Sequence, residues 1–173
     1  SASNWQVLQS DGRTYSTAET YPQYEEDEII IASTTKSAIL PSNLALKQIT
    51  VNEGATLDFA DKNLTAENFT NNGTIRFSGI NSITASASYG PSNTIEYYGS
   101  SPNAVTGTGA PSADDYKNLT ITNGTILSLD AKSITVSGTL SNEGTVLVNG
   151  EGVFNITGTP DSDSGLVKYT SNK

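Results

Sequence analysis

Lys117-Asn118-Leu119-Thr120-Ile121-Thr122-Asn123-Gly124-Thr125-Ile126-Leu127 decides how this chain folds, because nearly the same phrase stands 70 residues earlier as Lys47-Gln48-Ile49-Thr50-Val51-Asn52-Glu53-Gly54-Ala55-Thr56-Leu57. The match continues on both sides of a one-residue insertion. Lys62-Asn63-Leu64-Thr65 falls on Lys132-Ser133-Ile134-Thr135, and Asn72-Gly73-Thr74-Ile75-Arg76-Phe77-Ser78-Gly79 falls on Glu143-Gly144-Thr145-Val146-Leu147-Val148-Asn149-Gly150. Asn93-Thr94-Ile95-Glu96-Tyr97 and Gly165-Leu166-Val167-Lys168-Tyr169 extend it further. A fixed internal period is the mark of a repeat architecture and takes precedence over local propensity.

A shorter beat lies inside each unit. Gly54, Gly73 and Asn93 are 19 and 20 residues apart, and Gly124, Gly144 and Gly165 are 20 and 21 apart. Between these turn positions residues alternate, as in Ile49-Thr50-Val51, Ile75-Arg76-Phe77 and Ile134-Thr135-Val136. Period two with β-branched side chains means strands. Asn72-Gly73 and Asn123-Gly124 are expected to supply the positive φ of tight turns. Pro41 splits the one stretch with helical leanings, Ala38–Lys47, so one short helical turn is the most that region predicts.

The fold class is therefore all-β, and its expected form is a β-solenoid, a parallel β-helix of roughly 20-residue coils stacked about 4.8 Å apart. A β-sandwich or jelly roll is the alternative, with the Asn-Gly pairs closing hairpins. A sandwich gives no reason for evenly spaced turns. The expected organisation is an N-terminal cap or donated arm over 1–27, a first β-repeat unit over 28–98 and a second over 99–173, in one continuous domain; Gly99 to Ser112 reads as a long loop between the units.

Segments such as Leu140-Ser141-Asn142-Glu143-Gly144-Thr145-Val146-Leu147-Val148 resemble the repeats of bacterial and archaeal surface β-solenoid proteins, including autotransporter passengers and filamentous-haemagglutinin-type adhesins. The resemblance covers about residues 44 to 169 and rests on composition. It implies a secreted, extracellular or cell-surface protein and no particular ligand.

Composition narrows the chemistry. With 173 residues the chain can bury a continuous core. Lys and Arg number 9 against 18 Asp and Glu, a formal charge of −9, which argues against nucleic acid and anionic membrane surfaces. No apolar run approaches the ~18 residues of a membrane helix, so membrane insertion is not expected. There is no His and no Cys, which removes imidazole and thiolate metal sites and Ser-His-Asp or Cys-His nucleophiles. The remaining carboxylates are Glu25 to Glu28, Asp58 with Asp61, Asp114 with Asp115, and Asp161 with Asp163, none set among the aromatic and basic residues of a sugar-cleaving cleft. A polysaccharide-acting enzyme is the least favoured reading, and no catalytic residue is assigned.

Asp161-Ser162-Asp163-Ser164-Gly165 begins like a calcium loop but lacks the third acidic ligand and the closing Glu. Asp161 and Asp163 are thus the one candidate metal site, calcium, and no other cofactor is expected. Six Asn-x-Ser/Thr triplets, at Asn63, Asn68, Asn72, Asn118, Asn123 and Asn155, are what chance gives in a chain this rich in Asn, Ser and Thr. Tyr97, Tyr98, Tyr116 and Tyr169 are read first as packing residues and second as a glycan-binding row.

The expected function follows from phase. Ile29-Ile30-Ile31, Ile95-Glu96-Tyr97 and Val167-Lys168-Tyr169 occupy one repeat position three times, so that a new copy fits after the last. Head-to-tail stacking of copies is expected, with Trp5, Val7, Leu8, Val167 and Tyr169 as assembly residues. The reading is a non-enzymatic structural or adhesive protein, with glycans or host and cell-surface ligands as further partners.

Overall fold

Alternating burial turns into parallel rungs in the computed structural model, which describes residues 6–8, 15–17, 28–33, 36–100, 102–161 and 164–170. The first complete circuit shows why. Leu44–Val51 (β5) buries Leu44 and Leu46, exposes Lys47, and then buries Ile49 and Val51. The alternation slips at Lys47-Gln48, so the backbone must turn a corner there to keep its apolar side inward. Leu64–Asn71 (β7) slips in the same way at Glu67-Asn68 and pairs with β5 in parallel, Leu44 opposite Leu64 and Val51 opposite Asn71.

Three faces result. The first stacks Glu28–Ile31 (β3), the second halves of β5 and β7, and the end of Ile80–Tyr89 (β9). The second is a six-stranded parallel sheet of Ala38–Ile39 (β4), Thr56–Asp58 (β6), Thr74–Ser78 (β8), Thr94–Tyr98 (β10), Asn118–Ile121 (β12) and Leu140–Asn142 (β15). The third runs through the first halves of β5, β7 and β9 to Pro102–Thr106 (β11), Ile126–Ser128 (β13), Thr145–Asn149 (β16) and Leu166–Thr170 (β18). Ile134–Val136 (β14) and Phe154–Ile156 (β17) resume the first face in the later coils. The protein is a β-solenoid of about 7 turns with roughly 20-residue coils. Parallel pairing throughout these faces sets the sandwich aside. Gln6–Leu8 (β1) and Tyr15–Thr17 (β2) form the one antiparallel pair among the described residues, and β1 runs beside β3.

Two local expectations change. No helix occurs among the described residues, and Ala38–Lys47 is strand on either side of the corner at Pro41. Asn72-Gly73 is not a positive-φ turn: Gly54 (φ 72) and Gly124 (φ 78) take the left-handed conformation. Gly73 is glycine for room, since a Cβ there would stand 2.3 Å from the Asn52 carbonyl oxygen, and Gly144 is likewise 2.5 Å from that of Thr125. Neighbouring coils approach there more closely than any side chain allows.

The interior is continuous from Ile29 to Phe154. In the middle coils it holds an aromatic stack, with Phe59 4.8 Å from Phe77, Phe77 5.7 Å from Tyr97, and Phe69 5.9 Å from Tyr89 between ring centroids. Buried asparagines close the corners. Asn71 and Asn142 each accept the amide of the glycine two residues on, both at 3.1 Å. Asn81 donates to the carbonyls of Ala60 and Lys62 in the coil before it.

The two sequence copies are not stacked by simple translation. Residues 48–51 lie on the first face but their counterparts 118–121 pair with β10 on the second; 56–58 lie on the second and 126–128 on the third; 64–66 lie on the third and 134–136 on the first. Each unit spans three coils and one further face, so the second copy is turned by one side of the triangle. Residues 107–117 cause the shift. They occupy the first face for one coil without forming a strand, taking hydrogen bonds from Thr135 N to Ala113 O at 2.8 Å and from Ser137 N to Tyr116 O at 3.0 Å.

Candidate functional site: a cleft where a strand is replaced by a loop

Rung-to-rung spacing is near 20 residues elsewhere but 24 from β9 to β11, where Ile80 pairs with Ala104, and again across the loop, where Thr94 pairs with Asn118 and Pro102 with Ile126. The longer coil leaves the interior incompletely filled. A cleft of about 560 Å³ opens between β11, the 107–117 loop and the 127–134 segment, within the roughly 300–1,000 Å³ of small-molecule sites. Val105, Leu127, Leu129 and Ile134 give it an apolar side, and Tyr97, Tyr116, Asp130, Lys132 and Ser133 a polar one.

Tyr116 is held by the irregular rung, and its hydroxyl meets that of Tyr97 at 3.1 Å, both side chains being buried. Burial holds both phenols above their ordinary range, Tyr116 at about 12, so both are neutral at physiological pH. Tyr89 is held above its ordinary value for the same reason and donates to Gly109 O at 2.7 Å, fastening the loop. Lys132 reaches across the cleft to Val105 O at 3.2 Å. Asp130, at positive φ, accepts from Ser128 Oγ at 2.7 Å and from Asn149 Nδ2 at 3.3 Å.

A second cluster lies on the outer side of the six-stranded sheet. Asp58, Arg76 and Glu96 are register partners or neighbours on β6, β8 and β10. Arg76 bonds Asp58 at 3.1 Å and Glu96 at 2.9 Å, lies 4.5 Å from the centre of the Tyr98 ring, and Tyr98 donates to Asp58 at 2.7 Å. Partial burial disfavours the guanidinium charge, but Glu96 and Asp58 outweigh it and raise its pKa. Burial and the bond to Asp58 lift Tyr98 to about 12. Every charge in this cluster has a partner, which makes it a brace across three coils.

The structure disperses several residues that the sequence grouped. Tyr97 and Tyr116 are inside, Tyr98 faces outward beside Arg76, and Tyr169 is on the last described rung, so the four tyrosines form no row. Asp61 is ion-paired with Lys62, which lowers its pKa, and Asp115 accepts the amide and hydroxyl of Ser112. Asp161 accepts the amide of Asn142, a rung-to-rung bond; Asp163 lies outside the described residues, and among those described no group of three potential metal ligands occurs. Asn118, in one of the six triplets, already donates its Nδ2 to Asn93 O.

Of the assembly candidates, Trp5 lies outside the described residues, while Val7 and Leu8 are on β1. Val167 and Tyr169 continue the interior columns of Val146 and Val148. Val167 packs on the core, whereas Tyr169 is 64% exposed. Sequence reasoning did not find Lys132 or the cleft, although the 31-residue gap in the turn beat, from Asn93 to Gly124, marks the coil that contains it.

No family model, no curated protein and no solved structure matches this chain. Among the described residues no helix is long and apolar enough to cross a membrane.

Proposed function

We propose that the protein is a non-enzymatic, extracellular structural or adhesive module of the kind found in bacterial surface β-solenoids, and that copies stack end to end. The observation that carries this reading is the difference between the two ends of the interior. Ile29 and Ile31 on the first rung are 4% and 3% exposed, whereas Tyr169, on an interior column of the last described rung, is 64% exposed. A parallel rung packed on Tyr169 would bury it, and burying a side chain of this size stabilises a contact by roughly 1.5–3 kcal/mol. An unpaired strand edge is itself a template for pairing.

In a stack the neighbour is turned about the long axis so that its β3 supplies that rung on the third face, and the β1–β2 pair beside β3 gives way or is donated across the junction. The acidic surface keeps single modules apart at low salt, and added salt screens that repulsion.

Sedimentation velocity and negative-stain imaging of the full chain across rising concentration and salt test this. Rods that lengthen in steps of one module, and that Tyr169→Lys abolishes, are the expected result. Monomers alone at the highest concentration would overturn it.

A further inference from the structure

We propose that the cleft under the 107–117 loop is a binding site for a neutral saccharide, one or two pyranose units of a glycan. The site is on the flank of the solenoid, two rungs before β18, and no residue of β18 lines it, so it stands or falls separately from end-to-end stacking.

The argument starts from the hydroxyl pair. Tyr97 and Tyr116 carry one hydroxyl proton each, and their mutual 3.1 Å contact uses only one of them. Among the described residues the second proton meets no acceptor, and a buried donor left unmade costs ~1–3 kcal/mol. Both tyrosines line the cleft, so an acceptor oxygen entering it satisfies the pair. Neither phenol ionises near neutral pH, since burial holds both above their ordinary values, so the pair remains a donor.

The rest of the lining offers both donors and acceptors. Lys132 spends one of its three ammonium hydrogens on Val105 O, leaving two. Ser133 Oγ accepts the amide of Val153 at 3.1 Å and keeps its own proton to give. The Asp130 carboxylate, bound on one oxygen by Ser128 and Asn149, has its other oxygen as an acceptor. Beside these groups lies the apolar wall of Val105, Leu127, Leu129 and Ile134.

An apolar ligand would leave these donors unmade. An anion would gain from Lys132 but face Asp130 within a chain of net charge −9. A neutral sugar has what the cleft asks for: hydroxyls that both give and accept along its edge, and a C–H face for the aliphatic wall. The loop that breaks the strand pattern thereby lets interior groups meet solvent, and loops held on a rigid scaffold are where binding sites concentrate.

The full chain is titrated with glucose, galactose, mannose, lactose, cellobiose and maltose, with glucuronate as the anionic comparison, by calorimetry and by protein-observed NMR. At least one neutral sugar is expected to bind saturably and shift the amide signals of Ala113, Tyr116 and Lys132. Y97F/Y116F removes both hydroxyls while keeping the rings, a change nearly neutral for folding because no partner is left unpaired, and should weaken binding about tenfold. Lys132→Met should weaken it several-fold, with circular dichroism unchanged in both variants. No saturable neutral-sugar binding overturns the proposal, as does binding of glucuronate alone, shifts confined to other coils, or affinity unchanged in both variants.

Discussion

Phe69 and Leu140 stand at equivalent points of the two repeat units, and both are buried, yet one belongs to an aromatic stack and the other to an aliphatic interior. The contrast continues at Phe59 against Leu129 and Phe77 against Val148. The corners, in contrast, are the same in both units: Gly54 and Gly124 at positive φ, Ala60 and Asp130 at φ 49 and 43, Gly73 and Gly144 pressed against backbone oxygens, Asn71 and Asn142 each bonded to the next glycine. The coil is thus set by its corners, and the interior is filled by whatever apolar volume suits each level. Close packing requires that volume be matched and leaves the identity of the side chain open.

The outer faces differ too. Asp58, Arg76 and Glu96 brace three coils in the first unit, while the equivalent positions in the second are Ser128, Leu147 and Lys168, where hydroxyl and amide bonds from Asn149 to Ser128 and from Thr170 to Asn149 take over.

The largest expected effect comes from the interior. Phe69→Ala removes a ring that touches both Phe59 and Tyr89 and should cost about 3–5 kcal/mol in chemical denaturation. Leu140→Ala should fall near the lower end of the ~2–5 kcal/mol range, because Leu140 is 5% exposed and the side chain removed is smaller. Equal losses would mean that the aromatic stack adds nothing beyond volume.

Alkaline pH probes the same asymmetry through Tyr116. Its folded pKa of about 12 lies above the ~10 of an unfolded tyrosine. The stability it contributes is therefore fully present below pH ~10 and lost as pH rises from there toward 12, on the order of 2–3 kcal/mol. Absorbance of ionising tyrosine and loss of the strand signal in circular dichroism should move together over that window, and Y97F/Y116F should flatten the decline.

Smaller again is the effect of exchanging the outer residues. Arg76→Leu imposes the second unit's residue on the first and leaves buried Asp58 without its cation. Since Arg76 is itself 29% exposed, the expected loss is about 1–3 kcal/mol, below that of a fully buried pair. Leu147→Arg places a cation where no carboxylate brace waits and should change stability by less than ~0.5 kcal/mol. A large effect at Leu147 would break the distinction between a braced unit and a plain one.

Much of the coil was legible because its determinants are local. Period-two alternation at Ile49-Thr50-Val51 and Leu119-Thr120-Ile121 marks strands, and the beat of Gly54, Gly73 and Asn93 marks corners, since each is a property of a few adjacent residues. Gly73 was recognised as a corner residue for the wrong reason, because the oxygens that exclude a side chain there belong to residues 18 to 21 positions back. The cleft was not legible at all. Asp130, Lys132 and Ser133 look like an ordinary turn in sequence, and Tyr116 like one more strand-flanking tyrosine.

By itself, then, the sequence determined that this is an all-β repeat of roughly 20-residue coils, and which residues face inward. The tertiary structure alone decided that the second copy is rotated by one face, that Arg76 is shared by Asp58 and Glu96, and that Tyr97 and Tyr116 meet beside a cavity. Each of these depends on which rung lies on which, and for the second copy residues 107–117 set that register by filling one side of the triangle without a strand. Local patterns fix what a segment is, but the length and path of a loop fix what it is stacked against.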